Sequence, residues 1–347
     1  GDILYFEVWD NKDPLFYYSL ALGRTISPYA DILLELMWIV CAGIAVYVLA
    51  RKLGCNAPGA LFAAFGMTPL ILTGGLYQPG YTHLPGTALV LLVMAATVSR
   101  RFAAAGLLLA ILAFLKLVML PIALLLILTV IALRKEWRAL VAGSAAFALG
   151  AAALAGLLYA RGELLPYLGA QVTNVSYSQG VLVDERWGSF VGHLMRVVSI
   201  DAVVVATVVA AAIVWVFAKD RRARVARPVE GRSLVLWACA GSALVGALVV
   251  LGFTGMWDHH AQVLYVPAVL VGVGSVHRFQ PAFNVSSKLP VAALVGLAVV
   301  LSGPTAPLRY GAAALVSGPR SLAALSDVPA EARAVLSVAP SGTYARL

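Results

Sequence analysis

Apolar runs about as long as a membrane is thick recur along this chain, and nothing else in it restricts the fold as much. A helix crosses about 30 Å of hydrocarbon with roughly 20 residues, and lipid supplies no water to satisfy an unpaired backbone group. Hydrophobic residues make up 61% of the 347 and charged residues 12%, which leaves too little polar surface for a soluble globule. The strands of about ten alternating residues that a membrane barrel requires do not recur. The expected fold is therefore all-α, a polytopic transmembrane helix bundle.

Apolar runs between charged residues give about ten spans, near 32–50, 58–76, 84–99, 103–116, 117–133, 139–159, 199–218, 233–253, 262–276 and 289–303. The stretch 103–133 is too long for one ordinary span and carries Lys116 and Pro121 near its middle. A single span would separate Arg134, Lys135 and Arg138 from Arg100 and Arg101. Two short spans meeting near Lys116 keep all five together, as the preference of basic residues for the cytoplasmic side requires. Arg51, Lys52, the run KDRRARVARP with Arg232, Arg278 and Lys288 then join them.

The opposite face receives the opening loop 1–31, a long loop 160–198, the loops 77–86 and 254–261, and a tail over 304–347 that follows a transmembrane unit of 1–303. Nearly all the acidic residues fall there, with His83, His193, His259 and His260. Chemistry is accordingly expected on the periplasmic or extracellular side of an inner or plasma membrane. Cys41, Cys55 and Cys239 are odd in number and lie in or beside apolar spans, so no disulfide framework is expected. The net charge of +9 reflects topology rather than nucleic acid. The first residues read as loop interior and the last stop partway, so both ends are expected to be truncated.

The opening loop reads GDILYFEVWDNKDPLFYYSLALGRTI, in which Glu7, Asp10 and Asp13 bracket Lys12 within seven residues. A carboxylate can act as general base on a hydroxyl or ligate a divalent cation, and a lysine ammonium can hold a phosphate as a point charge. That combination suits a sugar phosphate. The plainer reading is a solvated interfacial loop with Trp9, Phe16, Tyr17 and Tyr18 as an aromatic belt.

The wording LYFEVWDNKDPLFYY, followed by a short helix, a span and the basic stop RKLG, resembles the GT-C membrane glycosyltransferases. The likeness is to the protein O-mannosyltransferase and lipid A aminoarabinose transferase branch. There the first outer loop reads Tyr, any residue, Asp or Glu, then Asp-x-Lys-Pro-Pro-Leu and an aromatic pair. Tyr5, Glu7, Asp10, Lys12, Pro14, Leu15 and Tyr17 match, and Asp13 stands in place of the first proline. The resemblance implies inverting transfer of a sugar from a polyprenyl-phosphate donor to an envelope glycan, lipid or protein acceptor. It also implies Glu7 and Asp10 as catalytic carboxylates, Lys12 on the donor phosphate, and Tyr5, Trp9 and Tyr17 along the substrate loop. Members carry a further acid ahead of this motif, which here would precede Gly1.

The loop TGMWDHH brings Asp258, His259 and His260 together. Adjacent histidines on a helix point about 100° apart, an awkward geometry for one metal. The alternatives are interfacial packing or contact with phosphate or acceptor, and the resemblance favours the latter, with Asp258 in the substrate loop. An intramembrane lysine is costly unless it reaches water or an anion, so Lys116 either snorkels or binds the lipid phosphate. Asp31 and Glu35 share one helical face at the outer end of a span, where they either mark an interface or line the cavity with Glu7.

Membrane lipids are the expected partners of the basic run 219–232. No nucleotide loop, P-loop or zinc signature is present, which disfavours a soluble nucleotide-sugar donor. A divalent cation, Mg or Mn, is compatible with the opening carboxylates, and no other cofactor is indicated. Two rivals remain: a lipid or solute transporter, which would place functional charges at mid-membrane and show internal symmetry, and a noncatalytic envelope-assembly protein.

Overall fold

Lys116 divides the 103–133 run in the computed structural model, which describes residues 13–67, 82–182, 230–253 and 262–279. Among the described residues the chain is helical and has no strand. The helices are α1 Pro14–Ile26, α2 Ala30–Lys52, α3 Ala57–Met67, α4 His83–Val98, α5 Phe102–Leu115, α6 Leu120–Arg134, α7 Arg138–Ala160, α8 Leu164–Leu182, α9 Glu230–Phe253 and α10 Tyr265–Phe279. A 3-10 turn over Leu117–Met119 links α5 to α6.

Two contacts show that the chain doubles back at Lys116. At the far end of α6, Arg134 donates from Nη1 to the Val98 carbonyl at 2.9 Å. Arg100 pairs with Glu136 at 2.7 Å. The basic residues flanking α5 and α6 thus gather at one end of the bundle. They also occupy positions that glycine usually fills: Arg100 and Lys135 close their helices with φ of 61° and 56°. Placing charge at that end outweighs the cost of the left-handed backbone.

The short spans expected near 84–99 and 103–116 fall on α4 and α5, and the described residues do not show all ten spans. Among the described residues four helices are long and apolar enough to cross a membrane, at Leu33–Lys52, Leu117–Arg134, Arg138–Ala160 and Leu234–Gly252. His83–Val98, Phe102–Leu115 and Gln262–His277 are apolar but shorter. The 14 residues of α5 span about 21 Å, below the roughly 30 Å of hydrocarbon, because the chain breaks at Lys116. The expected spans 199–218 and 289–303 and the tail 304–347 lie outside the described residues.

The core forms around α4, where every residue from His83 to Leu91 is buried. Leu49, Leu89, Met94, Leu112, Ile122 and Leu126 fill it from α2, α4, α5 and α6. Lipid tails are as apolar as leucine, so close backbone approach rather than water exclusion holds such helices together. A Cβ built on Gly106 would collide with the Gly143 carbonyl, and one on Gly150 would lie 2.9 Å from Ala110 Cβ. These pairs run α5 and α7 parallel. On the other side Gly246 backs onto Ile122, while Thr129 and Ser242 hydroxyls meet at 2.7 Å, so α6 and α9 run antiparallel.

The expected loop 160–198 begins instead as a helix. Gly162, at φ +74°, ends α7: its N–H donates to Tyr159 O and the Glu163 N–H to Leu158 O, a Schellman closure. Pro166 then falls in the first turn of α8, where its missing N–H costs nothing. Buried Tyr167 and Ala170 attach α8 to Leu158.

Candidate functional site

At the end of the bundle opposite the basic cluster, two buried carboxylates each stand just before a helix, and each is held by a tyrosine from the other helix. Asp13 precedes α1, with Pro14 at the first helical position as its fixed φ favours. Its side chain does not cap its own helix. It is turned towards the α5–α6 break, where Oδ2 accepts the Leu117 N–H at 3.0 Å. That N–H is one of the donors a new helical turn leaves without an intrahelical partner, so Asp13 caps it from 104 residues away. Oδ1 accepts the Tyr167 hydroxyl at 2.9 Å and Gln171 Nε2 at 3.2 Å, both from α8.

Asp13 is 5% exposed. Burial pushes its pKa up, while the Lys116 charge, the Leu117 amide and the Tyr167 hydroxyl pull the other way. Lys116 closes α5 and is half-buried, with its stem lying on α4. A Cβ on Gly86 would lie 3.1 Å from both Lys116 Cβ and Cγ and 2.7 Å from Met119 Sδ, so glycine is what admits the lysine. His83, buried one turn earlier on α4, belongs to the same end.

The second carboxylate, Glu163, precedes α8 and its side chain is 2% exposed. Tyr18 Oη donates to its Oε2, and Arg161 Nε donates to its Oε1 at 3.0 Å. The guanidinium also lies over the Tyr18 ring, 5.2 Å from the centroid. Burial, then the bond and charge of Glu163, push the Tyr18 phenol up to about 12, with Arg161 acting against them. Between the two carboxylates Tyr167 stacks on Phe114 at 6.2 Å.

The helix register sets the depth of each. Ala110 lies opposite Gly150, and α7 continues to Ala160 where α5 stops at Leu115. Arg161, 11 residues past Gly150, therefore stands about 7.5 Å farther along the bundle axis than Lys116, 6 residues past Ala110. The site has a deep cation beside Asp13 and an outer cation beside Glu163.

Of the residues expected from the sequence, the structure brings Lys116 to this end. Tyr17 packs with Phe16, Leu20 and Leu34 and is 7% exposed. Tyr5, Glu7, Trp9, Asp10, Lys12, Asp258, His259 and His260 lie outside the described residues. Among the described residues no three His, Cys, Asp or Glu side chains gather as a metal site would need. To the expected site residues the structure adds Asp13, Tyr18, Arg161, Glu163, Tyr167 and Gln171. Asp13 and Tyr18 had left a trace in the sequence, the first among the acids around Lys12 and at the motif position where proline is replaced, the second in the aromatic belt.

The profile of Glycosyltransferase family 87 matches residues 15–230, more than half of the chain and nearly all of this site. No curated protein and no solved structure matches.

Proposed function

Because the chain belongs to glycosyltransferase family 87, we propose that it transfers a sugar from a polyprenyl-phosphate donor to an envelope glycan, lipid or protein, with inversion, on the non-cytoplasmic face. Family membership accounts for sugar transfer. The observation that supports a lipid-linked donor is Lys116, a cation at a helix break within an otherwise apolar bundle, beside a carboxylate fixed by three donors. A donor that arrives along the membrane carries its phosphate to such a place, whereas a nucleotide sugar would need a soluble binding domain.

In this reading the acceptor hydroxyl attacks the anomeric carbon and loses its proton to Asp10 or Glu7. The bond from that carbon to the phosphate oxygen breaks, and the electron pair stays on the phosphate. Lys116, with Lys12 and the His259–His260 pair, stabilises the charge that develops there, the kind of electrostatic help that accounts for much of enzymatic rate enhancement. Asp13, with both oxygens engaged, positions the break that carries Lys116. The O-mannosyltransferase-like and aminoarabinose-transferase-like wording of residues 5–17 supports the same donor class.

The test is transfer by purified full-length protein from a polyprenyl-phosphate sugar, read as labelled acceptor and released polyprenyl phosphate. Lys12→Ala and Asp10→Asn should each lower the rate by about 10²-fold or more, as expected for a catalytic group. Unchanged turnover in both variants removes the site assignment. Translocation of the lipid with its sugar bond intact would favour the transporter instead.

A further inference from the structure

We propose that Arg161 binds the phosphate oxyanion of a membrane lipid at the outer margin of this site. The Schellman closure at Gly162 turns the chain so that Arg161 and Glu163, two residues apart, meet at 3.0 Å. The carboxylate is 2% exposed and the guanidinium 53% exposed. A surface ion pair would gain little by burying one partner, and burying a carboxylate is costly. What the burial accomplishes here is to fix the fork: Glu163 holds the Nε edge from below and the Tyr18 ring backs the plane at 5.2 Å. A guanidinium carries five N–H donors, and those not directed at Glu163 and Tyr18 remain on the exposed side.

A planar fork already ordered by its neighbours loses little freedom when it takes up two oxygens of a phosphate, the geometry it matches best. The surroundings indicate that the phosphate is carried by a lipid. Leu157, Tyr159 and Leu165, all within four residues of the arginine in the chain, are 48%, 72% and 73% exposed, apolar surface at this end of α7 and α8 that suits acyl or prenyl chains better than a soluble anion. The position about 7.5 Å beyond Lys116 along the bundle is also nearer to headgroup depth.

The same oxyanion is offered by the polyprenyl-phosphate donor and by an anionic phospholipid. The donor version rests on the function proposed above, and the phospholipid version does not. The experiment uses the full chain in maltoside micelles, which carry no phosphate, and measures binding of polyprenyl monophosphate and of phosphatidylglycerol by native mass spectrometry. Arg161→Gln is expected to weaken binding of at least one of them about tenfold, the scale of a charge-assisted hydrogen bond. Loss for polyprenyl phosphate alone assigns Arg161 to the donor, loss for phosphatidylglycerol alone to the surrounding lipid, and loss for both to a shared phosphate site.

Arg161→Lys keeps the pairing with Glu163 but not the fork, and should recover only part of the binding. If Arg161→Gln fails to fold because Glu163 is orphaned, Arg161→Gln combined with Glu163→Gln removes both charges and carries the same expectation. Unchanged binding of both lipids in a folded variant overturns the inference. If the wild type transfers sugar while these affinities do not change, this inference alone fails. If it releases no polyprenyl phosphate, the proposed function fails and the phospholipid arm still decides the role of Arg161.

Discussion

Asp13 and Tyr167, 154 residues apart in the chain, meet at 2.9 Å between carboxylate and phenol, and Tyr18 and Glu163 repeat the arrangement with the helices exchanged. Each helix offers the carboxylate at its start to a tyrosine about one turn into the other. The pair forms a clasp that ties the opening segment to α8 and, through the Leu117 amide, to the break that carries Lys116.

Tyr167→Phe tests that clasp most directly. The ring keeps its stack on Phe114, and the hydroxyl bond to Asp13 is lost. A buried hydrogen bond to a carboxyl group contributes about 1.5–3 kcal/mol, so the thermal midpoint in detergent should fall measurably. In a double-mutant cycle with Asp13→Asn the two changes should couple by more than about 0.5 kcal/mol. Simple additivity would mean that the two groups do not act together.

The same carboxylate predicts a pH dependence. Burial raises the folded pKa of Asp13 above its unfolded value near 4, so the folded protein holds this proton more tightly. The corresponding stability is complete below about pH 4 and is lost as pH rises through the folded value. Compared with Asp13→Asn, the wild type should therefore lose thermal stability across that window and run parallel to the variant above it. Melting curves from about pH 4 to pH 8 decide the matter. A difference that grows in favour of the wild type as pH rises contradicts the sign.

Two glycines of similar appearance in the sequence should respond oppositely to alanine. Gly106 faces the Gly143 carbonyl across the α5–α7 contact, and a Cβ there must push the helices apart. Gly106→Ala is expected to cost about 1–3 kcal/mol, as overpacking does. At Gly156 on α7 nothing lies within 4 Å of the added carbon. Gly156→Ala should be neutral or stabilising by up to about 1 kcal/mol, the helix preference of alanine over glycine. Equal effects of the two, measured by thermal unfolding, would mean that α5 and α7 do not cross at Gly106.

These residues show how far the sequence could be read. Apolar length revealed the helices, and charge sidedness placed the reversal at Lys116, because both follow from local composition and from the membrane as solvent. The shortness of α5 was legible as well, because the lysine that divides the run also ends the helix. Pro166, Gly169 and a run of Asn, Ser and Gln hid α8, although proline in a first turn breaks nothing. The clasp was illegible for another reason: hydrophobic period carries no information on which polar side chains meet across 145 or 154 residues.

Lys116 reaches its place only because Gly86 has no side chain, which leads to a kinetic prediction. Gly86→Ala would set a methyl group 2.7 Å from Met119 Sδ and 3.1 Å from the first two carbons of Lys116. A thioether can shift. The lysine stem cannot follow easily, because its backbone is held by the bond from the adjacent Leu117 amide to Asp13. The substitution should therefore displace the ammonium and lower both kcat and kcat/KM for a polyprenyl-phosphate donor several-fold, as loss of an interaction with charge that develops in the transition state does. Lys116→Met should give the same signature more strongly. The two changes combined should be less than additive, because both act through one cation. Strict additivity, or an unchanged kcat in Gly86→Ala, would separate Gly86 from Lys116 and leave the glycine with a packing role alone.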